Sequence, residues 1–106
     1  PHIVHNPNIT LVRTSREEMA EIGRRMAERL NAARGPAAVL VPRGGFSYSN
    51  RPGLPFYDPE VDAALIAALE QGLSSRVELA VVDAHVNDAA FAREAVDRLV
   101  ASLEPA

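Results

Sequence analysis

The stretch "AAVLVPRGGFSYSN", Ala37 to Asn50, decides how this chain is read. Ala37 to Val41 is an apolar run of strand length without polar alternation, the pattern of a strand covered on both faces. Pro42 ends it, and adjacent glycines, aromatics and serines release the chain into a long connection. Asp58-Pro59 then restarts it as a helix, with Asp58 as N-cap and Pro59 at the first helical position. Val61, Leu65, Leu69 and Leu73, joined by Ile66, form that helix's apolar stripe. A strand feeding a glycine loop and then a helix is the unit of an α/β fold.

The same unit reads on either side. Ile9-Thr10-Leu11-Val12 is a short β-rich run, and both Thr14-x-x-Glu17 and Ser15-x-x-Glu18 have capping-box spacing. Met19, Ile22, Met26 and Leu30 recur at three- and four-residue steps, which predicts a helix with these on its inner face. Glu21 precedes Arg25 by four on the outer face, and Gly35-Pro36 is the stop. "VELAVV", Val77 to Val82, is the third strand. Asp83-Ala84-His85-Val86-Asn87-Asp88 leads into a third helix capped by Asn87 or Asp88, with Phe91, Ala95, Leu99 and Leu103 facing inward and Pro105 at its end.

Three βα units predict a three-layer α/β fold, Rossmann-like or flavodoxin-like, with three parallel strands joined by right-handed crossovers. So short a sheet keeps an open edge, so a homodimer, or docking onto a missing subdomain, is expected.

Composition narrows the function classes. The chain has 106 residues, 47% apolar and 24% charged, which fits one soluble globular domain over residues 1–106. A net charge of −3 without a basic stripe argues against nucleic acid as a partner. No apolar run reaches membrane-spanning length, so no membrane partner is expected. The lack of cysteine rules out disulfides and thiolate metal sites and fits a reducing cytoplasm. The chain opens on Pro1 and is read as a domain of something longer.

In open parallel sheets ligands bind beyond the carboxyl ends of the strands. Those ends carry Arg13-Thr14-Ser15, then Arg43-Gly44-Gly45-Phe46-Ser47, then the segment from Asp83 to Asp88. Gly44 and Gly45 can offer backbone N–H groups to an anion, with Arg13 and Arg43 adding charge and Ser47 a hydroxyl. The alternative is that two glycines ease a tight turn. The pattern is neither a dinucleotide fingerprint nor a Walker loop nor a nucleophile elbow. The 42–57 connection is nonetheless longer than the ~12–15 residues beyond which loops are usually functional.

His85, two residues after Asp83, is the best catalytic candidate, as a general base or as a donor to phosphate or carboxylate. The alternative is a histidine hydrogen-bonded to backbone at a βα turn. Asn87, Asp88 and Asp58 are caps first. His2 and His5, with His85 or Asp83, have the donor atoms of a mixed metal site, but no supporting pattern surrounds them and no metal is assigned. Phe46, Tyr48, Phe56 and Tyr57 suit either a wall for a ring-shaped ligand or packing of the loop itself.

Four blocks then carry a family resemblance: "HNPNITLVRTSREEMAEIGRRMAERLN", "GPAAVLVPRGGFS", "PGLPFYDPEVDAALIAALEQGL" and "DAHVNDAAFA". In this order they resemble the carboxy-terminal subdomain of an uncharacterised ATP-binding protein family of bacteria, fungi and plants, which includes the tomato inhibitor of tobamovirus RNA replication. The resemblance implies two Rossmann-like subdomains, of which this is the second, a dimer, and ATP with Mg²⁺ bound by the full-length protein. The family's recurring residues map onto His5-Asn6-Pro7, Thr10, Arg13-Thr14, Gly44, Ser47, Pro55-Phe56, Asp58-Pro59-Glu60, Asp62, His85 and Asn87-Asp88. The resemblance also implies a small aliphatic residue in many relatives where Phe46 stands here, and an acidic residue near Asn50.

The functional expectation is a ligand-binding half-domain of a nucleotide-binding protein, with Arg13, Thr14, Arg43, Gly44, Gly45, Ser47, His85 and Asn87 around a small phosphate-bearing ligand. No cofactor is expected to bind tightly to this segment alone. The alternative is a structural and dimerisation module whose nucleotide site lies in the missing half; a metal-assisted hydrolase using His5, Asp83 and His85 is a third reading. No reaction is assigned.

Overall fold

The computed structural model describes residues 2–6 and 9–103. Seven elements follow in order: β1 (His2–Asn6), β2 (Ile9–Val12), α1 (Arg16–Asn31), β3 (Ala37–Pro42), α2 (Pro59–Gly72), β4 (Val77–Val82) and α3 (Ala89–Leu103). The chain is α/β, with β3 and β4 paired in parallel from Ala37↔Val77 to Pro42↔Val82.

The expected third parallel strand is a correction. β2 pairs antiparallel with β1, His2 opposite Val12 and Asn6 opposite Ile9, with a bulge between Val4 and Asn6. The two pairs are separate two-stranded sheets. The signal for this was local: Asn6-Pro7-Asn8 is a turn-forming cluster between two β-branched runs, which favours a hairpin over a crossover.

Helix α1 starts where one of the two capping boxes places it. Ser15 Oγ accepts the Glu18 N–H at 3.1 Å, and Glu18 Oε1 accepts the Ser15 N–H at 2.8 Å. The Ser15 backbone N–H first, and its hydroxyl second, hold the Glu18 carboxyl below the usual carboxylate range. Glu21 is likewise lowered, by Arg24 first and Arg25 second. The helix ends before the expected Gly35-Pro36 stop, because Asn31 turns its groups onto the end of α2. Its Nδ2 donates to the Gly72 carbonyl at 2.8 Å, its Oδ1 accepts the Ser74 N–H at 2.7 Å, and its carbonyl accepts from Arg76.

The inner face of α1 keeps predicted Met19 and Met26 but adds two small residues and leaves out Ile22. Met19, Gly23 and Ala27 are buried, whereas Ile22 is 40% exposed. A Cβ at Gly23 would lie 2.6 Å from Ala68 Cβ, and one at Gly72 2.9 Å from Ala27 Cβ. Small residues at i and i+4 on both helices therefore bring α1 and α2 together, and the larger residues pack beside that contact. Met19, Ala27, Val41, Leu65 and fully buried Leu69 form the core, with Val39, Leu79, Phe46 and Val61 packed against it.

Helix α3 departs furthest from expectation. None of its residues is buried, and Leu99 and Leu103, expected to face inward, are 60% and 76% exposed. It is tied to β4 by Arg98, which bonds Glu94 on its own helix at 2.8 Å and Glu78 on β4. Those bonds, Glu94 first, raise the Arg98 pKa. A groove of about 860 Å³ opens between α3 and β3, bounded by Ala38, Leu40, Ala95 and Leu99. Pro105, expected to end this helix, lies outside the described residues.

Candidate functional site

The connection from β3 to α2 folds as a chain of turns. Gly45, Asn50, Leu54 and Tyr57 each donate to a carbonyl three residues earlier, and the Phe56 N–H closes back onto the Ser49 carbonyl at 3.0 Å. Buried Phe56 anchors the loop's far end.

Its near end is pressed against the turn after β4. The Gly44 N–H donates to the Ala84 carbonyl at 2.8 Å, and the Val86 N–H donates to the Gly45 carbonyl at 2.9 Å. A Cβ at Gly44 would sit 2.8–2.9 Å from Ala84 and His85 backbone atoms. At Gly45, φ is +136° and a Cβ would meet the Asn50 carbonyl at 2.1 Å. Both glycines thus serve close backbone approach. Their N–H groups are bonded to carbonyls, Gly45 to Pro42 at 3.1 Å, so the expected anion nest is occupied by the protein's own oxygens.

His85 locks this contact. It is 5% exposed, and both ring nitrogens are engaged. Nδ1 accepts the Asn87 N–H at 3.0 Å, which leaves Nε2 carrying the proton and donating to the Ser47 carbonyl at 2.7 Å. Asp88 accepts the His85 backbone N–H at 2.9 Å. These are the backbone hydrogen bonds expected of a histidine at a βα turn. Asn87 acts through its backbone, its side chain being exposed. Arg43 is exposed and reaches Asp83 only at 4.0 Å, on the outer surface.

The opposite wall is a buried ionic network. Arg13 Nη2 donates to Asp62 Oδ1 at 2.5 Å, with the two side chains 9% and 5% exposed. Arg13 Nη1 reaches the Thr14 hydroxyl at 3.2 Å, and Nη2 also reaches the Asp58 carbonyl at 3.4 Å. Asn50 Nδ2 donates to Asp62 Oδ2 at 2.6 Å, and Asn50 is 2% exposed. Asp62 lies in the first turn of α2, where the helix dipole favours a carboxylate, and Asp58 caps that helix through the Val61 N–H at 3.2 Å. Arg13 Nε and Asn50 Oδ1 are buried without a protein partner.

Between these walls lies a cavity of about 620 Å³. Val12, Arg13 and Thr14 bound it on the β2 side, and Phe46, Ser47, Tyr48, Ser49, Asn50 and Phe56 on the loop side. The structure thus unites three predicted residues, Arg13, Thr14 and Ser47, at one pocket. Gly44, Gly45 and His85 form the support beneath the loop, and Arg43 and Asn87 stand apart from the pocket. Sequence reading missed Asp62 and Asn50 as its organising pair. Asp62 carried a signal, being an acid three before Leu65 and seven before Leu69 on the buried stripe of α2. Among the described residues no group of three His, Asp or Glu side chains is arranged for a metal; the His5 side chain lies outside them.

Residues 1–103 match the model of the Uncharacterised protein family (UPF0261) C-terminal domain. A UPF0261 protein of Rhizobium meliloti is 45% identical over 94 residues, 87% of this chain and 24% of the relative. One from Mesorhizobium japonicum is 38% identical over 91 residues, 84% of this chain and 23% of the relative. The ToMV resistance protein Tm-1(GCR237) of Solanum lycopersicum is 37% identical over 95 residues, 88% of this chain and 13% of its own. The chain spans about a quarter of the bacterial relatives' length.

Proposed function

The chain belongs to the UPF0261 family through its C-terminal domain, and on that premise we propose that it is the ligand-binding carboxy-terminal subdomain of a larger protein. Its ligand occupies the cavity between Arg13-Thr14 and the loop from Phe46 to Asn50. The observation that carries this reading is the hydrogen-bonded bracing of the loop. Four remote segments, at Arg13, Asn50, Asp62 and His85, are tied by buried hydrogen bonds around one opening. A loop held this way is pre-organised, which lowers the ordering cost of binding. The cavity's volume falls within the roughly 300–1,000 Å³ typical of small-molecule sites.

A blocking variant tests the reading. Ser47 is exposed at the pocket wall, so Ser47→Trp fills the opening without disturbing the core. Small molecules that raise the melting temperature of the natural protein should lose that effect with the variant. Equal stabilisation of both proteins would overturn the assignment.

A second reading rests on the open groove beside α3. In it the domain is a docking and dimerisation module, and the rest of the full-length protein completes a three-layer Rossmann-like sheet against β3. The two readings are compatible, because groove and pocket involve different residues. ATP with Mg²⁺, implied by the family resemblance, is a proposed ligand of the full-length protein. A cytoplasmic location is proposed from the absence of cysteine.

A further inference from the structure

We infer that the pocket at Thr14 and Ser47 takes an uncharged aromatic ring compound bearing hydroxyl or amide groups, rather than a phosphate or carboxylate. The inference rests on the pocket reading above and specifies its ligand.

Charge supplies the first argument. An anion site needs an uncompensated cation or free N–H donors converging on it. Arg13 is the cation among the lining residues, and its charge is matched by Asp62 at 2.5 Å, with the Asn50 amide closing the far side of that carboxylate. The glycine N–H groups are bonded to Ala84 and Pro42 carbonyls. Arg43, the other predicted cation, is not among the lining residues and faces Asp83 across the surface. The anion-binding parts expected at this rim are thus neutralised or directed elsewhere, apart from the Arg13 Nε–H, a single unpartnered donor on an arginine whose charge Asp62 already matches.

The remaining chemistry supplies the second. Phe46, Phe56 and Val12 give apolar wall, and Thr14, Ser47, Ser49 and Tyr48 give neutral hydroxyls. Tyr48 is 74% exposed at this pocket, so its ring is open to a ligand. Aromatic side chains at a polar opening suit stacking on a flat ring, and hydroxyls accept and donate without requiring charge on the ligand. A bound ring would cover Tyr48 and exchange hydrogen bonds with Thr14 and Ser47.

Amide chemical-shift mapping with three probes, adenosine, nicotinamide and inorganic phosphate, tests this. A neutral ring probe should shift Thr14, Ser47 and Tyr48, with an affinity that changes less than twofold between low and moderate salt. Inorganic phosphate should leave those amides unmoved. Tyr48→Ala, at an exposed position, should weaken the ring probe at least about fivefold, from the loss of one stacking contact, while leaving the spectrum otherwise native. Phosphate shifting the same amides, with affinity falling steeply in salt, would overturn the neutral-ligand inference and leave the pocket standing. If no probe of either class moved these amides, the inference and the pocket reading would both fall.

Discussion

The two faces of the β3–β4 pair come from the same twelve residues, yet one is closed and the other open. Val39, Val41 and Leu79 point to the closed side, where α2 and α1 cover them. Ala38, Leu40 and Glu78 point to the other side and border the groove beside α3. What closes the first face is the small-residue contact of Gly23 and Ala27 with Ala68 and Gly72, which lets two helices pack as a unit. Helix α3 has no such partner, and Val96, Leu99, Val100 and Leu103 remain more than half exposed. The radius of gyration is 15.2 Å, against about 13 Å for a compact chain of this length. The pocket lies at the carboxyl end of the sheet on the closed side, supported by the same α2 that forms the core.

The largest effect should come from the ionic network joining pocket to core. Asp62→Asn leaves Arg13 buried without its counter-charge, and urea unfolding should show a loss of about 3–5 kcal/mol. A loss below 1 kcal/mol would mean that the network does not brace the closed side. Next is Gly45→Ala, which adds a Cβ at a positive φ and against the Asn50 carbonyl. We expect a loss of about 1–3 kcal/mol, with amide shifts spreading from Ser47 to Val86. A neutral result would show that the glycine is not required for close approach. The smallest effect belongs to the open side. Leu99→Ala should change stability by no more than about 0.5 kcal/mol, whereas the same truncation at Leu69 should cost about 2–5 kcal/mol. Similar costs at the two leucines would erase the distinction between the faces.

Much of the fold was legible from local chemistry. The bounds of β4 matched, and those of β3 nearly so, because uninterrupted apolar runs and flanking turn residues mark strand ends. The Asp58 cap and the Ser15–Glu18 box placed two helix starts. The face of α1 was legible in part: Met19 and Met26 lie on the core as their spacing predicts, whereas Gly23 and Ala27 pack through close approach, to which hydrophobic periodicity is blind. The direction of β2 is set by its pairing with β1, a strand that the three-unit pattern leaves out, although Asn6-Pro7-Asn8 in the sequence between them is a hairpin signal.

The pocket was half legible. The rule that ligands gather beyond the ends of parallel strands points to Ser47 after β3, and Arg13 and Thr14 line the same cavity although they follow β2, which lies outside the parallel pair. It could not reveal that Asp62 matches the charge of Arg13, or that Asn50, 12 residues before Asp62, donates to that carboxylate's other oxygen. Nor could it show that the glycine N–H groups already have carbonyl partners, since that depends on how the Ala84 turn meets the loop.

Amide hydrogen exchange tests the central claim, that the loop after β3 is an immobilised wall of a site and not a flexible connection. The N–H groups of Gly44, Asn50 and Val86, bonded to the Ala84, Ser47 and Gly45 carbonyls, should exchange nearly as slowly as those in the middle of α2, whereas α3 should exchange faster. Exchange of these three amides at the rate of an unprotected chain, with α2 still protected, would contradict the account.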